Sequence, residues 1–189
     1  MKKQPEVTDR TRKVLVEVFC YLYTQKPIEK ISVQEIANKA GYNRSTFYQY
    51  FCDIYELLSY VENDVLSYMR EKLKQQKETI HYRDNSIIPL FEEKEILLKA
   101  LLGKYGSMRF VELIKKEISS NIQMLNAYKN DKLSPYIMEF RVSTSISLFM
   151  LWQSRQKDLQ IDELLNLIYS LYTTGITPFL KEIDENYSK

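Results

Sequence analysis

One arginine, Arg44, stands in a run otherwise made of hydroxyl, amide and aromatic side chains: Tyr42, Asn43, Arg44, Ser45, Thr46, Tyr48, Gln49 and Tyr50. A guanidinium with a free end can pair with two acceptors on one base edge, and hydroxyls and amides can reach phosphate oxygens. Ser32, a few residues upstream, adds a further hydroxyl to that set. Such a set is suited to reading double-stranded DNA, provided that one short helix holds it out toward a groove. The same residue types also suit a plain surface helix.

The elements that would position this run follow from the local sequence. Thr8 is placed to cap a first helix with an apolar face of Val14, Leu15, Val18, Phe19 and Leu22, which Pro27 ends. Ser32 opens a second helix, with Glu35 three residues on as a capping-box partner. Gly41 stops it, and Asn43 can cap a third helix over Asn43 to Tyr50. Asp53 with Glu56 repeats the capping pattern at the head of a long fourth helix running to about Lys77. A helix-turn-helix needs a small residue where the two helices touch, a turn residue tolerant of positive φ, and an apolar residue to close the pair. Ala37, Gly41 and Phe47 occupy those places.

Beyond this region lie short apolar segments from Ile87 to Leu102 and a break at Gly103 and Gly106. Three longer amphipathic stretches follow, about Ser107 to Asn126, Ser134 to Gln156 and Ile161 to Leu180. Apolar residues recur in steps of three and four nearly throughout, which predicts an all-α fold. The boundary between a helix-turn-helix domain (residues 1–52) and a helical dimerisation and effector domain (residues 53–189) is expected at the start of the fourth helix.

Charge is uneven. Residues 1–52 carry nine Lys or Arg against five Asp or Glu, a net +4, while the whole chain nets only +2. The positive field lies with the hydroxyl-rich helix, as an anionic partner requires. No stretch approaches the roughly 20 apolar residues of a membrane span, and nothing resembles a signal peptide, which implies a soluble cytoplasmic protein. Cys20 and Cys52 read as packing residues, and with one histidine, His81, no metal site is expected. The absence of a glycine-rich phosphate loop or a nucleophile elbow argues against an enzyme, and no cofactor is expected.

The stretch "ISVQEIANKAGYNRSTFYQYFCDIYELL", within residues 8 to 62, resembles the DNA-binding domain of the TetR/AcrR family of transcriptional regulators. That resemblance implies an all-α homodimer, a double-stranded DNA operator of palindromic form and a C-terminal domain that binds a small effector. Three positions depart from the family pattern. Ile54 stands where a lysine is common, Tyr50 where a histidine is frequent, and Tyr42 where a small aliphatic residue is usual. Ile54 puts one phosphate contact in doubt and supports a second reading, an adaptor that keeps the fold but acts through protein contacts. The segment "LFEEKEILLKALLGKYGSMRFVELIKKEI" resembles TetR-like chains some of whose relatives are activators or coactivators.

Met108, Phe110, Met124, Tyr128, Met138, Phe140, Phe149, Met150 and Trp152 could line an effector pocket, although ordinary core is the commoner fate of any one of them. Trp152, whose indole N–H needs a partner when buried, could equally serve a dimer interface. The apolar stripe Leu164, Leu165, Ile168, Leu171 and Tyr172 on the last helix, with Ile146, Phe149 and Met150 before it, offers a surface for two-fold pairing.

Overall fold

The computed structural model describes residues 5–75, 88–121 and 132–176. Met124 and Tyr128, two of the expected pocket residues, and His81 lie outside them. Helices make up all the regular structure among the described residues: α1 (Pro5–Gln25), α2 (Val33–Lys39), α3 (Arg44–Phe47), α4 (Ile54–Gln75), α5 (Ile88–Glu93), α6 (Glu95–Leu101), α7 (Met108–Asn121), α8 (Ser134–Ser154) and α9 (Ile161–Thr173), with one 3-10 turn at Ile28–Lys30 between α1 and α2. No described helix is long and apolar enough to cross a membrane.

Helix α1 begins at Pro5, one turn before the expected cap Thr8. Proline suits the first helical position because its missing N–H would have no partner there. Leu15, Phe19 and Leu22 are buried as its periodicity predicts, and so are Val16, Cys20 and Tyr23. The wider buried face arises because α1 packs both on α2 and along α6. Burial raises the Cys20 thiol to about 12. Cys52, in contrast, is exposed and is not a packing residue.

The turn between α2 and α3 is closed by backbone geometry. Gly41 has φ +74°, a conformation that costs glycine nothing and other residues a steric penalty. The N–H of Gly41 then reaches the Asn38 carbonyl (3.1 Å) and that of Tyr42 reaches the Ala37 carbonyl (2.9 Å), the paired bonds of a Schellman ending. Ala37 is fully buried, which lets α3 lie close against α2. Ser32 accepts a hydrogen bond from the Glu35 backbone N–H, as expected of a cap. The Glu35 carboxylate does not complete the box; it pairs with Lys26 at 2.5 Å and ties the end of α1 to α2.

Helix α4 is the common element of the two parts of the chain. Leu57, Leu58, Val61, Val65, Leu66 and Met69 are buried along it. They join one continuous core that runs from Leu15, Phe19, Ile36 and Phe47 to Leu101, Phe110, Phe149 and Trp152. Helix α7 lies parallel to α4, because Glu62 meets Arg109 and Arg70 meets Glu117, eight residues further along each helix. The polarity of the two pairs is reversed. A slip of α7 that brought Arg109 opposite Arg70 would place like charges together, so the register is specified as well as the packing. Between α6 and α7 the chain turns tightly at Gly106, where a Cβ would lie 2.0 Å from the Leu101 carbonyl oxygen.

Glu62 is 2% exposed. Its Oε2 lies 3.0 Å from Arg109, while its buried Oε1 has no hydrogen-bond partner. Burial outweighs the pull of Arg109 and raises the carboxyl above 4.5. A raised folded pKa means a contribution to stability that is full below the unfolded value and is lost as pH climbs through the folded one. Glu62→Gln is therefore expected to be more stable than wild type at pH 7, with the advantage shrinking toward about pH 4.5, the ordinary carboxyl value. Urea midpoints at the two pH values check this. A glutamine variant less stable at pH 7 would show that the ion pair outweighs the burial.

Candidate nucleic-acid interface

Phe47 holds the interface from beneath. It is fully buried, with Phe51 and Tyr48 rings each 5.7 Å from its own. Helix α3 spans only Arg44–Phe47, shorter than the expected Asn43 to Tyr50, and continues as turns through Tyr50. Asn43 occupies the N-cap position through its backbone alone: its carbonyl accepts from Thr46 at 2.9 Å and its side chain makes no capping bond. With Phe47 pointing inward, Asn43, Arg44, Ser45, Tyr48 and Gln49 are exposed, and Thr46 is half-buried. Ser32 is also exposed, its hydroxyl oxygen engaged as the α2 cap.

Two expected contact residues are placed differently. Tyr42 is half-buried and packs against the core. Tyr50 turns inward so far that its hydroxyl oxygen is closed off from solvent. In this arrangement it cannot reach a phosphate, because its polar end is the buried end. Arg12, from the middle of α1, sits 5.8 Å from both the Tyr50 and the Tyr60 rings. This cation between two aromatic faces ties α1 to the end of the recognition segment and to α4. Sequence reading missed Arg12. Its signal is a charged residue beside the apolar face of α1, which a helical pattern alone treats as solvent-facing.

The linker into α4 is held by Asp53, whose carboxylate accepts from the backbone N–H groups of Tyr55 and Glu56 at 2.8 Å each. Glu56 in turn accepts from the Cys52 N–H, and the side-chain hydrogen bond between the Cys52 thiol and the Glu56 carboxylate holds the carboxylate below its usual range and raises the thiol. Ile54, where a lysine was absent, is the first residue of α4 and packs partly buried against the core. It supplies grip between head and helix in place of charge.

A family model described as "Bacterial regulatory proteins, tetR family" matches residues 20–61, the span from the end of α1 through the recognition segment into α4. The N-terminal head is thus similar to the DNA-binding domain of the tetR family. A solved structure titled "Dihydroxyacetone kinase operon activator DhaS" is similar over 88% of this chain and 96% of that one, with a TM-score of 0.57 and 18% identity. That likeness concerns the fold. No curated protein matches the chain. An N-terminal helix-turn-helix head is followed by a helical region, in the order expected from the sequence.

The remaining expected site residues lie in the helical region. Phe110, Phe149 and Trp152 are buried parts of the core, whereas Met108 is 72% exposed. Trp152 donates its indole N–H to the Leu159 carbonyl at 2.8 Å, and the Phe149 ring lies 5.6 Å away. Its polar group is thus spent on closing the turn between α8 and α9. Leu164, Leu165 and Ile168 are buried within the single chain, and Leu171 and Tyr172 are half-buried. Tyr172 bonds across to α8, through the Arg141 carbonyl and the Ser145 hydroxyl. The stripe on α9 therefore faces its own chain, because α8 and the core already cover it.

Proposed function

We propose that the regulator acts as a homodimer on a palindromic DNA operator in the cytoplasm, and that its helical region answers to a small molecule or a protein partner. The observation that carries the DNA-reading part is the exposed set Arg44, Ser45, Tyr48 and Gln49 standing on a segment whose Phe47 is fully buried. A reading face clamped from inside loses little freedom on meeting a groove. Arg44 is its base reader, suited to guanine O6 and N7, and Ser45, Thr46 and Gln49 are placed for phosphates.

Support for two-fold pairing comes from α8. Met138, Val142, Phe149 and Trp152 are buried on one side of it, while Tyr136 (76%), Ile137 (49%), Phe140 (59%) and Leu151 (53%) remain exposed on the other. A helix apolar on both sides asks for a second cover, and a second copy of the same helix provides it by symmetry. Pairing sets two heads roughly 34 to 36 Å apart, near one DNA turn. These exposures support an interface on the outer face of α8, with Leu171 and Tyr172 of α9 at its edge.

A mobility-shift assay on genomic fragments tests the reading. Saturable binding that weakens as salt rises supports it, and Arg44→Ala is expected to cost about 1 to 3 kcal/mol and relax the preference at one base pair. A protein that binds no fragment at low salt would favour the adaptor, for which the apolar Ile54 in place of a cation is the supporting observation.

A further inference from the structure

Arg44 opens α3 and Tyr48 caps its C-terminal end, both exposed and four residues apart, the spacing at which two side chains meet. Both Nε and Nη2 of Arg44 donate to the Tyr48 hydroxyl oxygen, at 3.1 and 2.8 Å. The guanidinium carbon lies 5.3 Å from the centre of the Tyr48 ring. The Tyr48 ring is itself set edge-on against Phe47, at 90°. A chain of contacts therefore runs from the buried Phe47 through Tyr48 to the guanidinium.

The chemistry of this clasp is specific. One oxygen occupies the side edge of the arginine fork, the edge formed by Nε and Nη2. The end edge, formed by Nη1 and the second hydrogen of Nη2, takes no part in these two bonds. That edge offers two parallel N–H donors and fits the O6 and N7 acceptors of guanine. An arginine on an exposed helix otherwise samples many rotamers before it can meet a base, and an orientation settled in the free protein favours one bound geometry over others.

We propose that Tyr48 is a specificity-determining positioning residue: it holds the Arg44 fork end-on toward guanine and so sharpens the base preference, a role distinct from the phosphate contact that its residue type suggests. This rests on the reading of α3 as the recognition helix. Tyr48→Phe keeps the ring and removes only the acceptor oxygen, so it separates the clasp from the packing.

Selection of bound sequences from a random DNA library, with the full-length wild type, Tyr48→Phe, Arg44→Ala and the double variant, tests the assignment. Circular dichroism and thermal melting confirm that each variant is folded. Wild type is expected to select guanine at one position in each half-site. Tyr48→Phe should lose roughly tenfold of the discrimination at that same position, with a much smaller change in its affinity for random-sequence DNA and no flattening of the salt dependence of that binding. The double variant should behave as Arg44→Ala alone. A Tyr48→Phe protein that keeps its base preference but weakens on every sequence, with a shallower salt dependence, would identify a phosphate contact and overturn the proposal. Losses that add in the double variant would overturn it as well. A wild type that selects no sequence, with Arg44→Ala silent, would strike down the recognition-helix reading itself and the proposal with it.

Discussion

Glutamate at both Tyr136 and Phe140 is expected to convert the regulator into folded monomers whose binding to a full palindromic site falls by roughly a hundredfold or more, as the linkage between two half-site contacts is lost. These side chains are 76% and 59% exposed, so a charge placed there meets water in the monomer and desolvation only in the dimer. The penalty thus falls on association and leaves folding alone. Ile168→Glu provides the contrast. Ile168 is 4% exposed within the single chain, and a carboxylate there is expected to break the packing of α9 on α8 and unfold the helical region. Sedimentation and shift assays on the same samples separate the two results. A wild type that stays monomeric at micromolar concentration, or a Tyr136/Phe140 double variant that still dimerises, would remove α8 from the interface.

The second large effect is expected at Phe47. Truncation to alanine leaves a cavity beneath the recognition segment where three aromatic rings now meet, at a cost of about 3 to 5 kcal/mol. Such a loss is a large share of the stability of an ordinary domain. Operator binding should disappear with it, since the Tyr48 ring rests edge-on against Phe47. Ser45→Ala, at an exposed position of the same helix, should change DNA affinity and leave the urea midpoint within about 0.5 kcal/mol of wild type. Denaturation and shift assays on the pair decide the matter: a Phe47→Ala protein as stable as wild type would mean that Phe47 does not close the helix-turn-helix.

The head could be read from its sequence because its boundaries depend on local chemistry. Ser32 caps α2 with its own hydroxyl, Gly41 alone tolerates the φ of +74° at the turn, and Asp53 binds the first N–H groups of α4. Each device works within a few residues of itself. Ala37 and Phe47, small and large in the right order, follow from the same short window and are both fully buried.

What lies beyond such a window depended on the tertiary structure. Tyr48 and Tyr50 are two positions apart and chemically alike, yet one remains 45% exposed and the other has a buried hydroxyl oxygen. Arg12, from a distant part of the sequence, meets the inward one. The C-terminal helices show the same limit more strongly. In helix α8 apolar residues fall on all sides, interspersed with Glu139, Arg141 and several serines, so no period in its sequence marks an inner side. Helix α9 has a clear stripe, but a stripe states only that something covers it. Packing chose: the α9 stripe turned onto its own chain, while α8 kept exposed apolar surface at Tyr136, Ile137 and Phe140. Local hydrogen bonds and backbone angles are written residue by residue, whereas the partner of an apolar face is settled only when all the faces compete for one core.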